Sequence, residues 1–273
     1  MTRAACLIGW PAAHSRSPMI HKYWLKSFGI DGDYRIEPVK PDDLAAFVAS
    51  LSERGYSGAN LTIPHKEQVL ALAEADDRAR AVGAANTLWL DGGTLRATNT
   101  DVEGFFGNLD ASSPGWDKAT SEALVLGAGG AARAVIFGLI ERGVDTIHLV
   151  NRTLPRAEEL ARRFGLRVKP ATWDRLATLL PRATLLVNTT SLGMKGQPPL
   201  EVDLALLPAT ATVSDAVVAG PTVQAAAGRG LKTSDGLGML LHQAVRGFSL
   251  WFGQRPAVTP ELRALVEADL TRT

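Results

Sequence analysis

One segment constrains the fold more than any other. Residues 123–156 read ALVLGAGGAARAVIFGLIERGVDTIHLVNRTLPR. An apolar run, a glycine turn, an amphipathic stretch and a second apolar run follow in that order. The pattern predicts a strand, a tight turn, a crossover helix and a second, parallel strand. Within it, Gly127-Ala128-Gly129-Gly130-Ala131-Ala132 fits G-x-G-x-x-A. In such a loop the first glycine permits the turn and the second lets backbone approach a pyrophosphate. The small last residue lets the helix pack on the sheet, and phosphates meet the helix N-terminus. A tight turn that holds no ligand carries the same six residues. The flanking strand and helix are what favour a dinucleotide.

The tip of the second strand indicates which dinucleotide. A fold that holds NAD presents Asp or Glu to the ribose 2′-hydroxyl about 20 residues beyond the loop. Here IHLV ends in Asn151-Arg152-Thr153, with Arg156 close behind. Two guanidinium groups with no carboxylate between them suit a 2′-phosphate, which arginine grips through a planar fork of donors. NADP(H) is therefore expected over NAD. Thr189, Thr190 and Ser191 stand in VNTTSLGM, where a strand end should open towards the cofactor. They fit a ribose and nicotinamide lining, and equally a polar turn.

The segment begins only at residue 123 of 273. Substrate chemistry is therefore expected upstream, and the length suggests two domains. A formal net charge of +1 gives no bulk attraction to nucleic acid or an anionic membrane. The single cysteine, Cys6, lies in the apolar run AACLIGW and reads as a core residue in a reduced, cytoplasmic setting. No basic-then-apolar leader and no membrane-length apolar run is present.

Upstream, strands are predicted at 4–9, YRIEPV and GANLTI, with a hairpin over 84–98 around Asp91-Gly92-Gly93. Ser17 followed by Pro18 predicts a helix start with serine as N-cap, running to Gly29. Further helices are predicted over DDLAAFVASLSERG and over KEQVLALAEA after Pro64. The turn-rich stretch 108–120 reads as a domain junction. Beyond it, strands near 124–127, 146–150, 184–188 and 211–217 suit a parallel sheet with crossover helices. Two helices, GLGMLLHQAVRGFSLWFG and TPELRALVEADL, close the chain.

Polar residues gather at the ends of the upstream strands: Ser15 and Ser17, then Asn60, Thr62 and Lys66, then Asn86 and Thr87, then Asn99, Thr100 and Asp101. Each has a local explanation. Ser17 can cap a helix, Asp101 can cap VEGFFGNL, and Lys66 can be a solvated first-turn residue. Together they supply hydroxyls, amides, one lysine and one carboxylate, which suits a polyhydroxylated, carboxylated small molecule. Histidines 14, 21, 65, 148 and 242 show no i, i+4 pair and no cysteine partner, so no metal site is expected. No G-x-S-x-G elbow is present either.

At this point the motifs match a family. The chain resembles shikimate dehydrogenase over nearly its whole length. Gly9 to His21 carries A-H-S-x-S-P-x-I-H, Gly58–Lys66 carries G-x-N-x-T-x-P-x-K, and Asn99–Asp101 is N-T-D. The glycine loop and N-R-T follow, and Asp235–Gln243 is D-G-L-x-M-L-x-x-Q. The resemblance implies an α/β fold: a substrate domain of residues 1–101 and 237–273, and a doubly wound Rossmann-type NADP domain of 102–236. It implies reversible, NADPH-dependent reduction of 3-dehydroshikimate to shikimate. By the same resemblance Ser15 and Ser17 bind the substrate carboxylate. Thr62, Asn86, Asp101 and Gln243 hold ring hydroxyls, and Lys66 with Asp101 forms the catalytic pair. Lys66 is acid/base or orienting. Gly127, Ala128, Gly129, Gly130, Ala131, Asn151, Arg152, Thr153, Arg156, Thr189, Thr190 and Ser191 face the cofactor. Gly236 and Met239 lie against the nicotinamide.

One departure stands out. The family usually has D-x-x-Y-x-P-x-x-T, and here Val218 occupies the tyrosine position on the cofactor crevice. The substrate is then shikimate bound less tightly, or a related ring acid such as quinate or an amino analogue. A non-catalytic NADP-binding regulator is the reading of another class, and the paired Lys66 and Asp101 argue against it. The first helix offers Tyr23, Trp24, Leu25 and Phe28 as core or as a homodimer face.

Overall fold

The computed structural model describes residues 3–13, 15–194, 196–218 and 220–272. His14, inside the first motif, lies outside the described residues. The chain divides into two compact units, Met1–Gly104 with Leu240–Thr273, and Phe105–Met239. Both boundaries fall within helices, Asp101–Ser112 and Gly236–Phe252. The stretch 108–120 therefore lies within the second unit.

The first unit is built on a mixed sheet of β1 (Arg3–Gly9), β2 (Gly32–Pro38), β3 (Tyr56–Leu61), β4 (Glu74–Ala75), β5 (Thr87–Asp91) and β6 (Thr94–Thr98), in the order β2-β1-β3-β5-β6-β4. β1 runs parallel to both neighbours and is buried from Ala4 to Gly9, as its unbroken apolar run requires. β5 and β6 form the expected hairpin. Gly92 and Gly93 both have positive φ, 58° and 89°, as a two-residue turn between right-twisted strands demands.

Three local expectations for this unit are corrected. The segment after Pro64 is not a helix but turns, a 3-10 turn at Gln68–Ala71 and the short β4. Pairing of Glu74–Ala75 with Arg96–Ala97, and burial of Val69, override its helical propensity. The helix read over 42–55 is α-helical only at Leu44–Ala49. The Ser50 hydroxyl there donates to the Phe47 carbonyl, a local bond that competes with helix continuation. At the first helix, Ser17–Ser27, the N-cap is Arg16, and Ser17 is already helical. Ser15 Oγ accepts from the Ser17 amide at 3.2 Å, which relieves Ser17 of capping.

An aromatic cluster binds the helix Gly236–Phe252 to this sheet. Trp251 Nε1 donates to the Leu88 carbonyl at 2.7 Å. Gly58 leaves the room, because a Cβ there would lie 2.2 Å from Trp251 Nε1. Trp24 and Leu25 are core residues, whereas Phe28 is exposed. His21 stacks on Tyr34 at 4.1 Å between Trp24, Phe248 and Trp251. It is fully buried, and among the described residues neither ring nitrogen has a hydrogen-bond partner.

The second unit carries β7 (Glu122–Leu126), β8 (Thr146–Val150), β9 (Val168–Ala171), β10 (Leu185–Asn188), β11 (Thr212–Asp215) and β12 (Lys232–Ser234), all parallel, in the order β12-β11-β10-β7-β8-β9. This is the doubly wound order, with its reversal between β7 and β10, where such sheets hold ligands. Both edge strands escaped the sequence reading. β9 contains Pro170, tolerated because an edge strand can lack a donor, and β12 is three polar residues long. β11 stops at Asp215, short of the expected 217, because Asp215 Oδ1 accepts from the Val217 amide and turns the chain. Gly138 lets the helix Gly130–Glu141 close onto Phe106, where a Cβ would sit 1.7 Å from the ring. Among the described residues no helix is long and apolar enough to cross a membrane.

Burial lowers the His21 pKa from the usual 6.5 to about 3, with the Asn60 side chain a smaller opposing influence. Above pH ~6.5 the ring is neutral in folded and unfolded chains and adds no slope. As pH falls from there towards 3, the unfolded chain takes up a proton that the folded chain refuses. Stability then drops by about 1.4 kcal/mol per pH unit from this group alone. His21→Phe should remove that component, read as a shallower loss of urea-unfolding free energy between about pH 6.5 and 4. Equal slopes in the two proteins would contradict it.

Candidate active site

In the first unit the polar residues converge on Asp101. Its backbone N–H donates to Asn99 Oδ1 at 3.1 Å, so Asn99 serves the start of the helix Asp101–Ser112. The expectation that Asp101 caps this helix is corrected: its carboxylate is turned elsewhere. Oδ2 accepts from Lys66 Nζ at 2.7 Å and Oδ1 accepts from Asn86 Nδ2 at 2.8 Å. Lys66 sits in the turn after β3 and not in a helix, with its carbonyl accepting from the Ala85 amide. The Lys66 and Asp101 side chains are only 22% and 8% exposed, so this pair is shielded far more than a surface salt bridge.

Gln243, carried on the helix Gly236–Phe252, brings Oε1 to 3.5 Å from Asn86 Nδ2. Lys66, Asn86, Asp101 and Gln243 therefore form one cluster. Ser15 and Ser17 form a second small group, with their hydroxyls 3.2 Å apart. Thr62 is half-buried beside Gly9, where a Cβ would meet its methyl at 2.3 Å. Asn60 is committed internally: it accepts from Tyr34 Oη and donates to the Asn86 carbonyl and Thr87 Oγ1. An ion-pair group was not foreseen. Glu103 accepts from Arg78 at 2.6 Å and from Arg246 at 2.7 Å, linking three helices beside Asp101. These partners are 25 and 143 residues from Glu103, so no local pattern announces them.

In the second unit the expected cofactor residues lie at the C-terminal ends of the strands. Gly127 has φ +99°, and a Cβ on it would lie 2.9 Å from Thr189 Oγ1. That contact brings the loops after β7 and β10 together at the switch point. Gly129 is the N-cap of the next helix, with no side chain capping it and open space around its Cβ position. The first amides of that helix, from Gly130 and Ala131, are left without a capping side chain, as a phosphate site requires. Ala128 lies between the two glycines of the turn.

Asn151 Nδ2 donates to the Thr153 carbonyl at 2.8 Å and shapes the turn after β8. Arg152 and Arg156 are exposed there, and among the described residues neither is paired with a carboxylate. The Thr189 hydroxyl donates to the Leu126 carbonyl and the Thr190 hydroxyl to Asn188 Oδ1, so both protons hold the loop in shape. Ser191 is exposed in the following turn. Asn188 Nδ2 donates to Asp215 Oδ1 at 2.9 Å, a link the sequence reading missed. Burial pushes the Asp215 carboxyl above its usual range. Val218 is half-buried in the turn after β11. Gly236 packs on the backbone of 216–217, where a Cβ would lie 2.5 Å from the Ala216 oxygen, and Met239 is half-buried one turn on. Among the described residues no three His, Cys, Asp or Glu side chains group as metal ligands.

Three family models match the chain. They are the shikimate dehydrogenase substrate-binding domain over residues 7–88, shikimate / quinate 5-dehydrogenase over 111–194, and the shikimate 5′-dehydrogenase C-terminal domain over 236–265. A shikimate dehydrogenase (NADP(+)) of Nitrobacter hamburgensis is 68% identical over 98% of this chain and 95% of its own. A protein of the same name from Rhodopseudomonas palustris is also 68% identical, over 99% of both chains. Among solved structures, shikimate 5-dehydrogenase of Thermus thermophilus with NADP(H) and shikimate is 35% identical, with a TM-score of 0.86 over 98% of this chain and 99% of that one. Quinate dehydrogenase of Corynebacterium glutamicum with NAD is 28% identical, with a TM-score of 0.89 over 98% and 99%. Family models spread over both units and near-complete identity coverage lead to one assignment: the chain belongs to the shikimate dehydrogenase family.

Proposed function

We propose that the chain reversibly reduces 3-dehydroshikimate to shikimate with NADPH. The observation that carries this is the shielded Lys66–Asp101 pair, joined by Asn86 and Gln243. A donor set of that kind suits a hydroxylated ring whose carbonyl must gain a proton. Ser15 and Ser17 bind the ring carboxylate, and Thr62, Asn86, Asp101 and Gln243 take the hydroxyls. Residues 1–101 and 237–273 form the substrate domain, and 102–236 the cofactor domain.

Bound NADPH supplies the hydride. As the substrate oxygen gains negative charge, a preplaced cation lowers the barrier. Lys66 is that cation and the proton donor. Both Asp101 oxygens accept, from Lys66 on one side and from Asn86 on the other. Asp101 aims Lys66. In the second unit the open, uncapped helix start and the close backbone at Gly127 fit a pyrophosphate. Gly127, Ala128, Gly129, Gly130 and Ala131 hold it through backbone. Asn151, Arg152, Thr153 and Arg156 take the 2′-phosphate. Thr189, Thr190, Ser191, Val218, Gly236 and Met239 line the nicotinamide end.

Val218 favours one second reading, quinate as an additional substrate, because valine offers no hydroxyl where the family has tyrosine. The proposal includes a cytoplasmic setting and a homodimer, for which the exposed Phe28 and half-buried Tyr23 remain available.

Lys66→Ala should lower kcat by about 10²- to 10⁴-fold while leaving NADPH affinity nearly unchanged. A near-normal kcat would remove Lys66 from the chemistry. The double change Arg152→Ala, Arg156→Ala should raise KM for NADPH by about tenfold or more and leave KM for NADH within about twofold. An equal rise for both cofactors would place the 2′-phosphate elsewhere.

A further inference from the structure

The Asn86 amide is gripped by groups to which the mechanism above assigns no part. Its Oδ1 accepts from the Thr100 backbone N–H at 2.7 Å, from the Thr100 hydroxyl at 3.1 Å and from the Thr87 hydroxyl at 3.2 Å. A backbone N–H can only donate, so it fixes which end of the amide is oxygen. The Nδ2 end is thereby turned to Asp101. Behind Thr87 the same logic repeats. Asn60 Nδ2 donates to the Asn86 carbonyl at 3.1 Å, a group that can only accept, and to Thr87 Oγ1 at 3.0 Å. The Thr87 proton then has two acceptors in reach, Asn86 Oδ1 and the Thr100 hydroxyl, each at 3.2 Å. Thr87 and Thr100 are both fully buried, with hydroxyls 3.2 Å apart.

We propose that Thr87 and Thr100 are positioning residues for the Lys66–Asp101 pair, acting through Asn86. This deepens the proposed reduction and rests on it. The two hydroxyls add to the hold of the Thr100 N–H on the amide oxygen, which keeps an N–H facing Asp101 Oδ1. Asp101 then keeps a donor on each oxygen, and Lys66 keeps its place. Exchanging a hydroxyl for a methyl removes one donor from Asn86 Oδ1. At position 87 it also strips Asn60 Nδ2 of an acceptor, in a buried network where unmet polar groups are expensive.

The test compares steady-state reduction of 3-dehydroshikimate by wild type, Thr87→Val, Thr100→Val and Thr87→Ser, with NADPH binding followed by fluorescence. Valine keeps the shape and loses the hydroxyl, whereas serine keeps the hydroxyl. Each valine variant should lose about tenfold in kcat, with KM and affinity for NADPH within about twofold of wild type. Thr87→Ser should keep kcat within about twofold. Wild-type kcat in the valine variants would overturn the proposal, as would a loss in Thr87→Ser equal to that in Thr87→Val. If the valine variants do not fold, Thr87→Ser decides alone. Kinetics matching wild type then uphold the role, and a loss of about tenfold overturns it. An inactive wild type would instead remove the proposed reduction, and the positioning role with it.

Discussion

A buried carboxylate depends on donors that meet both of its oxygens. Asp101 is held in that condition by Lys66 on one oxygen and Asn86 on the other. Burying such a charge is costly unless a countercharge and donors surround it. Much of the first unit is arranged to meet that demand. Asn99 serves the helix start so that the Asp101 side chain need not. The hairpin β5–β6 carries Thr87 at its beginning and leads into Thr100 at its end, and the two threonines hold the Asn86 oxygen from behind. Glu103, one helical step beyond, ties down the same first turn through Arg78 and Arg246.

The cofactor role proposed for the second unit sets a different demand, an approach of phosphate to backbone. It uses absence of side chains where the first unit uses their presence. Gly127 leaves room for Thr189, Gly129 leaves the helix start open, and Gly236 lets a helix begin against the 216–217 backbone. The polar ties that remain, from Asn188 to Asp215 and to the Thr190 hydroxyl, hold the loops after β10 and β11 together without extending into the glycine turn.

Much of this was legible in the residues alone, and the gaps have physical causes. The central strands of the second sheet were readable because burial on both faces demands unbroken apolar runs, as in β7. Its edge strands were not, since an edge tolerates Pro170 and the polar β12. Helix starts misled wherever a hydroxyl or carboxylate had a non-local partner. Ser17 and Asp101 both look like caps, and in each case a residue two positions earlier accepts the amide. The segment after Pro64 has helical composition but is claimed by pairing of Glu74–Ala75 with Arg96–Ala97 in the hairpin's second strand, a contact beyond any local window. The candidate residues themselves were visible as polar groups at strand ends. What could not be read is their wiring: which amide faces which oxygen is set by backbone groups far apart in sequence.

The central claim is a ring-acid dehydrogenase that depends on NADP. The initial rate of cofactor reduction by the purified wild-type chain tests it directly, with shikimate and quinate each offered alongside NADP+ and NAD+. The account predicts the highest kcat/KM for shikimate with NADP+. Absence of reduction with either acid, or a preference for NAD+, would contradict it.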